Sequence, residues 1–232
     1  MIPTLRFLIP TIQRTFSRQF RIMSPSIITV SPDSITTIHD TIETNLKKGL
    51  DAASHDFRSD TVTVPTPEML QTMFTTATFT DDIYSRDATT VKLEEEVAKL
   101  AGHEEAMFVP SGTLANQLCL RTHLTQPPHS VICDERAHIF TNESGGMAMF
   151  SQAIPTAISP KNGKYITLEE VKAKIIEDDV HYAPTRVVSL ENTLHGVVLP
   201  LSEAKRISEY IRRKFKGQIK LHLDGILFTK MF

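Results

Sequence analysis

The sequence predicts an α/β domain with a largely parallel sheet covered by helices on both faces. Three observations point there. Short apolar runs alternate with longer stretches of helical spacing from about residue 106 to residue 224. Near the start of that region, Met107–Val109 runs into Pro110-Ser111-Gly112-Thr113, an apolar run leading through small residues into a helix. At its end, Ile219–Leu223 delivers one carboxylate, Asp224, at the C-terminal end of an apolar run. Parallel strands joined by helical crossovers are the architecture that carries both features.

The elements follow in order. Residues 34–50 read as a helix capped by Asp33 or Ser34, with Ile35, Ile38, Ile42, Leu46 and Leu50 near helical spacing and Gly49 weakening the last turn. Residues 56–64 read as extended. Pro65 and Pro67 set up a short helix to about Thr75, and Thr80–Tyr84 is a loop. A helix at 89–100 carries the stripe Leu93, Val97, Leu100 and Ala101 and stops at Gly102. Then come a strand at 106–109, a helix at 113–123, a strand at 130–133 and a helical stretch near 138–150. A strand at 152–158 ends in the turn Pro160-Lys161-Asn162-Gly163. Thr167-Leu168-Glu169-Glu170 is a capping box opening a helix at 168–177. A strand at 186–190, a helix at 202–216 and a strand at 219–224 complete the pattern.

Bulk properties exclude several classes. The 232 residues suffice for one sizeable domain, and 41% apolar with 22% charged residues excludes a wholly disordered chain. With 25 basic against 27 acidic residues, overall charge offers no argument for nucleic acid or membrane. No apolar run approaches the ~20 residues that span a bilayer. The two cysteines, Cys119 and Cys133, fit neither a zinc knuckle nor a CxxC pair and read as free thiols. No metal site is expected.

The N-terminus differs in kind. Residues 1–32 contain no acidic residue but carry Arg6, Arg14, Arg18 and Arg21 among apolar side chains. That composition is the one of a mitochondrial presequence, with a cytoplasmic protein started at Met23 as the alternative. The expected organisation is an extension at 1–32, a helical segment at 33–55, the main domain at 56–225 and a tail at 226–232.

Each candidate site residue has two readings in isolation. Ser111-Gly112-Thr113 suits an anion, because a helix N-terminus offers unpaired N–H groups, and equally suits ordinary capping by Ser111. There is no GxGxxG and no GxxxxGK[ST], so nucleotide sites are poorly supported. Asp224 could hold a cationic ring N–H or be a plain loop or capping aspartate. His138 could stack on a ring or move protons, or be a structural histidine.

Taken together, the ordered set Asp56–Thr63, Asp81-Asp82-Ile83-Tyr84, Pro110–Asn116, Ala137-His138, Glu143-Ser144-Gly145-Gly146, Leu190-Glu191-Asn192-Thr193 and His222-Leu223-Asp224-Gly225 resembles the threonine aldolase family. The resemblance covers residues 56–225. It implies a three-layer αβα large domain of the fold type I of pyridoxal 5′-phosphate enzymes and a lyase of threonine catabolism and glycine biosynthesis. The substrate implied is a small β-hydroxy-α-amino acid, cleaved to glycine and an aldehyde. It implies homo-oligomers that pair as a dimer of dimers. By the same resemblance, Ser111, Gly112 and Thr113 match the phosphate turn, His138 the ring-stacking residue and Asp224 the partner of the ring nitrogen. Ser59, Asp60 and Glu143 match residues around the substrate, and Tyr84 a tyrosine near the subunit boundary.

The sequence departs from the pattern in two places. Where many members place a histidine after Glu-Asn-Thr, this chain has Leu194 and then His195, so a base role shifts to His195 or to water. After Asp224-Gly225 the family continues with Ala-Arg, whereas this chain reads Ile226 to Phe232. No lysine here matches the Schiff-base lysine, and Lys230 is too near Asp224 to replace it. The expectation is an incomplete large domain, inactive alone, with the strands after Asp224 and the small C-terminal domain missing. The alternatives are a non-catalytic partner of a full-length aldolase and a β-eliminating amino-acid lyase of the same fold.

Overall fold

A computed structural model describes residues 32–58, 60–77 and 87–225. The expected N-terminal extension up to residue 31, Ser59, the loop with Tyr84, and the tail with Lys230 lie outside the described residues. The chain divides into two compact units, one through Thr89 and one from Thr90.

The first unit is helical. Helix α1 (Pro32–Ala53) begins at its proline, so Asp33 and Ser34 lie inside it rather than capping it. It also continues through Gly49, whose added Cβ would meet Val64 at 3.5 Å. The segment expected to be extended after it holds a 3-10 turn at Asp60–Val62. Helix α2 (Pro67–Thr76) is capped by Thr66, whose hydroxyl accepts from Met69 N–H at 3.3 Å.

The second unit is a sheet between two helical layers. Helix α3 (Ala88–Ala101) leads in, and α4 (Gly112–His123) precedes β1 (Ser130–Asp134). Two short helices, α5 (His138–Thr141) and α6 (Gly146–Ser151), precede β2 (Ile154–Ile158). Then come α7 (Leu168–Lys174), β3 (Thr185–Glu191), α8 (Leu201–Phe215) and β4 (Lys220–Asp224). The strands lie in the order β2-β1-β3-β4, all parallel, and β3 pairs with β4 from Val187↔Lys220 to Glu191↔Asp224.

Alternation along the strands feeds two cores. Ile132, Val188 and Leu190 pack with Val171 of α7 and Ile207, Ile211 and Phe215 of α8. Val131, Cys133 and Val187 pack on the other face with Leu120, Ile139 and Met147. This is the predicted three-layer arrangement, with both sheet faces buried as parallel strands require.

Three expectations for the second unit are corrected. Residues 106–109 form no strand. An apolar run becomes a strand only with a ladder partner, and here Phe108 N–H donates to Glu94 Oε1 at 2.9 Å instead. The helix expected across 138–150 is broken in two, because Ser144 and Gly145 adopt left-handed φ of 52° and 74°. The helix expected to reach 177 stops at Lys174. There the backbone leaves the helix to exchange bonds with β3: Ile176 N–H donates to Thr185 Oγ1 at 3.0 Å and Thr185 N–H to Ile176 O at 2.8 Å. The capping box at Thr167 and Glu170 forms as predicted.

Candidate active site

The carboxyl ends of β1, β3 and β4 converge with the first turns of α4. Strand β4 presents Lys220, His222 and Asp224 on one face and Leu221 and Leu223 on the other, by its period of two. Leu221 packs into the α7–α8 core, so Asp224 faces the α4 side of the sheet. It sits directly opposite Glu191 in register, and Asn192 N–H donates to Asp224 O at 2.9 Å.

His138 is set by a short chain of contacts. Asp134, buried at the end of β1, takes Nε and Nη2 of Arg136, both at 2.9 Å. That fork turns the chain, and His138 N–H then donates to Glu191 Oε2 at 2.7 Å. The His138 imidazole is half-exposed and donates from Nδ1 to Glu143 Oε1 at 2.9 Å. Glu143 reaches it because the left-handed pair Ser144-Gly145 folds the chain back after α5.

The Glu143 carboxylate is wholly buried, yet it accepts from three side-chain donors, His138 among them. Asn116 Nδ2 donates to its Oε1 at 2.8 Å and Gln117 Nε2 to its Oε2. Asn116 Nδ2 also donates to Asp224 Oδ2 at 2.8 Å. His138, Glu143 and Asp224 therefore form one group, with one polar atom of each within 4.8 Å of the others. Burial raises the Glu191 carboxyl above its ordinary range; the His138 N–H opposes this and the neighbouring Asp224 charge adds to it. Burial likewise holds the imidazole of His222 toward its neutral form, where Ser189 Oγ meets Nδ1 at 2.8 Å.

The anion turn lies at the start of α4. The Ser111 hydroxyl accepts from Leu114 N–H at 3.2 Å, so it caps the helix while its own proton stays available. Gly112 and Thr113 are exposed, with first-turn N–H groups that no helix carbonyl can reach. An apolar groove of about 320 Å³ runs beside this turn, lined by residues that include Val97, Met107, Phe108 and Ala115.

Within the second unit, His195 is held beside the segment that carries His138. His195 lies in a tight Leu194–Val197 turn with Gly196, both at positive φ (48° and 82°). Its Nε2 donates to Arg136 O at 3.1 Å, fastening the turn to the segment before His138. Leu194 is buried, whereas His195 is exposed on the turn. Asp60 starts the 3-10 turn of the first unit. Asn116, Gln117 and Glu191 belong to the site's network although the sequence assigned them no role; two adjacent carboxamides near the start of a helix before a buried strand were the available signal.

A doubly covered parallel sheet whose polar groups gather at the strands' carboxyl ends defines an α/β protein, the class that places its ligand contacts at that edge. The chain belongs to the β-eliminating lyase family, whose model matches residues 56–228. It is 52% identical over 182 residues to the low-specificity L-threonine aldolase of Eremothecium gossypii, covering 78% of this chain and 47% of that protein. It is 49% identical over 175 residues to the low specificity L-threonine aldolase of Saccharomyces cerevisiae, covering 75% and 44%. The solved threonine aldolase of Leishmania major superposes with a TM-score of 0.59 at 21% identity, covering 70% of this chain and 47% of that one, and shows the shared fold. The chain spans about half the length of the curated relatives it matches.

Proposed function

We propose that the protein is a pyridoxal 5′-phosphate-dependent carbon–carbon lyase of the threonine aldolase type. Its substrates are small β-hydroxy-α-amino acids such as L-threonine and L-allo-threonine, cleaved to glycine and an aldehyde. The observation that carries the proposal is the bond from Asn116, on the helix that begins with the anion turn, to Asp224, at the carboxyl end of β4.

The chemistry of the donor set fits the cofactor. Ser111, Gly112 and Thr113 offer a hydroxyl and open N–H groups to a phosphate. Asp224 has Oδ2 engaged by Asn116 and Oδ1 to offer to a ring N–H. Glu143, Glu191 and Asp224 make the surroundings anionic, which favours a protonated ring nitrogen. When bound, the cofactor supplies an electron sink for the charge that develops at the substrate Cα.

The chain's own groups then have separate tasks. His138 presents its half-exposed imidazole to the ring face while Glu143 fixes its Nδ1–H, leaving Nε2 to handle a proton. His195 is the second candidate to accept the β-hydroxyl proton. Ser59, Asp60 and Tyr84 are proposed on the substrate side, with Tyr84 at the boundary of a homo-oligomer. Residues 1–32 are proposed to direct the protein to mitochondria.

Activity is a property proposed for a chain of the relatives' length, and the 232 residues alone are proposed to give no turnover. The test is coupled detection of acetaldehyde and glycine from threonine with added cofactor. The extended chain is expected to release both in equal amounts and this chain neither. Ammonia and a keto acid from a β-substituted amino acid, with no acetaldehyde from threonine, would favour the β-eliminating reading and overturn the aldolase.

A further inference from the structure

Asn116 is buried to 6% exposure on the sheet side of α4, where an apolar residue would ordinarily sit. Its amide nitrogen carries two hydrogens, and each has a carboxylate: Glu143 Oε1 at 2.8 Å and Asp224 Oδ2 at 2.8 Å. Reversing the amide would aim a carbonyl oxygen at two carboxylates, so the network itself fixes which atom is nitrogen. Asn116 lies four residues beyond Gly112, about 6 Å along the same helix axis. One rigid helix thus bears both the anion turn and the group that grips Asp224.

The gap between the carboxylates is not a cation site on this geometry. His138, Glu143 and Asp224 are close enough for one, but the Asn116 amide already bridges two of the three. What the amide leaves is Asp224 Oδ1.

We propose that Asn116 is a positioning residue: it locks the Asp224 carboxylate to the helix of the Ser111–Thr113 turn, so that Oδ1 meets the ring N–H of a cofactor whose phosphate lies on that turn. The same amide ties this orientation to Glu143 and, through Glu143, to His138. The inference rests on the cofactor reading of the site. Gln117 is the internal contrast, since it is buried on the same helix and donates to Glu143 but not to Asp224.

The test uses the full 232-residue chain and 4′-deoxypyridoxine 5′-phosphate, which has a methyl group in place of the aldehyde and so cannot attach to a lysine. The readout is the pH titration of the bound probe's ring nitrogen by absorbance. The wild-type chain is expected to hold the ring protonated to higher pH than in free probe, and Asp224→Asn to lose that shift. Asn116→Leu is expected to move the titration back toward free probe by about one pH unit. Gln117→Leu is expected to lower the melting temperature comparably but to move the titration by less than half as much. Asn116→Ser, which keeps a short donor, is expected to fall between wild type and Asn116→Leu and serves if the leucine variant does not fold. If Asp224→Asn shifts the titration while both Asn116 variants match wild type, the positioning role is overturned and the cofactor reading stands. If wild type fails to bind the probe, or Asp224→Asn changes nothing, both fall together.

Discussion

Glu191 and Asp224 stand opposite each other at the carboxyl ends of β3 and β4, two carboxylates in direct register at the rim of a parallel sheet. Like charges in that position oppose each other, and each is held by a separate device. Glu191 accepts the backbone N–H of His138 at 2.7 Å, and Asp224 accepts the amide of Asn116 at 2.8 Å. The rim is thereby organised around acceptors, which suits a cationic ligand group.

That pairing has a pH consequence. Burial raises the folded-state pKa of Glu191 above its unfolded value, with Asp224 adding to the effect against the His138 N–H. A raised carboxyl binds its proton more tightly in the folded state, so its contribution is complete below the unfolded pKa and is lost as pH rises through the folded one. Glu191→Gln keeps an acceptor for His138 N–H and removes the ionisation. Its thermal midpoint is expected to exceed wild type at neutral pH, with the difference closing in acid. A variant less stable than wild type at neutral pH would show that the ionised carboxylate is favourable there.

Gly146 packs closely against the Gln117 side-chain amide. A Cβ at residue 146 would lie 2.8 Å from the Gln117 amide carbon and nitrogen, in a buried position. Gly146→Ala is expected to destabilise by about 1–3 kcal/mol, through overpacking and through disturbing the Gln117–Glu143 bond. Denaturant unfolding of the single variants and of Gly146→Ala with Gln117→Ala checks this. The double variant is expected to lose less than the sum of the singles, because the clash is gone.

The two thiols should differ in reactivity. Burial pushes the Cys133 thiol up to about 12, and its side chain lies in the core between β1 and the α4–α6 layer. Cys119 is exposed on α4, though burial of part of its surroundings and the charge of Asp224 raise it somewhat. One thiol is expected to react with an aromatic disulfide reagent in the native protein and two after denaturation. Mass mapping should place the native adduct on Cys119.

Much of the fold is legible in the sequence, because strands and helices here follow local rules. Val131-Ile132-Cys133 is an apolar run flanked by turns and folds as the core of β1. Thr167 and Glu170 carry their capping box within four residues. The Met107–Val109 run shows the limit: composition suits a strand, but a strand exists only where a partner supplies the ladder. The break after α5 was signalled by Glu143-Ser144-Gly145-Gly146, yet the flanking apolar residues also fit one continuous helix.

The site was legible only where one residue's neighbours in sequence define its place. Asp224 at the end of an apolar run can be placed at the carboxyl edge of the sheet from sequence, while its role there stays open between a ligand contact and a plain capping aspartate. Asn116 cannot be placed so, since its partner Asp224 lies 108 residues away and a helical asparagine ordinarily faces water. Glu191 likewise acts through a backbone N–H 53 residues distant. His195 could be located but not oriented, because its turn depends on Leu194 being drawn into the core.

In the proposed site the Ser111–Thr113 turn and Asp224 hold the two ends of one phosphorylated pyridine ring. Calorimetric titration of the chain with 4′-deoxypyridoxine 5′-phosphate tests it most directly, with Asp224→Ala and Gly112→Pro as the two end-specific variants. One probe is expected to bind per chain, weakened by about tenfold or more when either end is changed, as loss of a charge-assisted hydrogen bond implies. Equal affinity in wild type and both variants, or no binding at all, would contradict it.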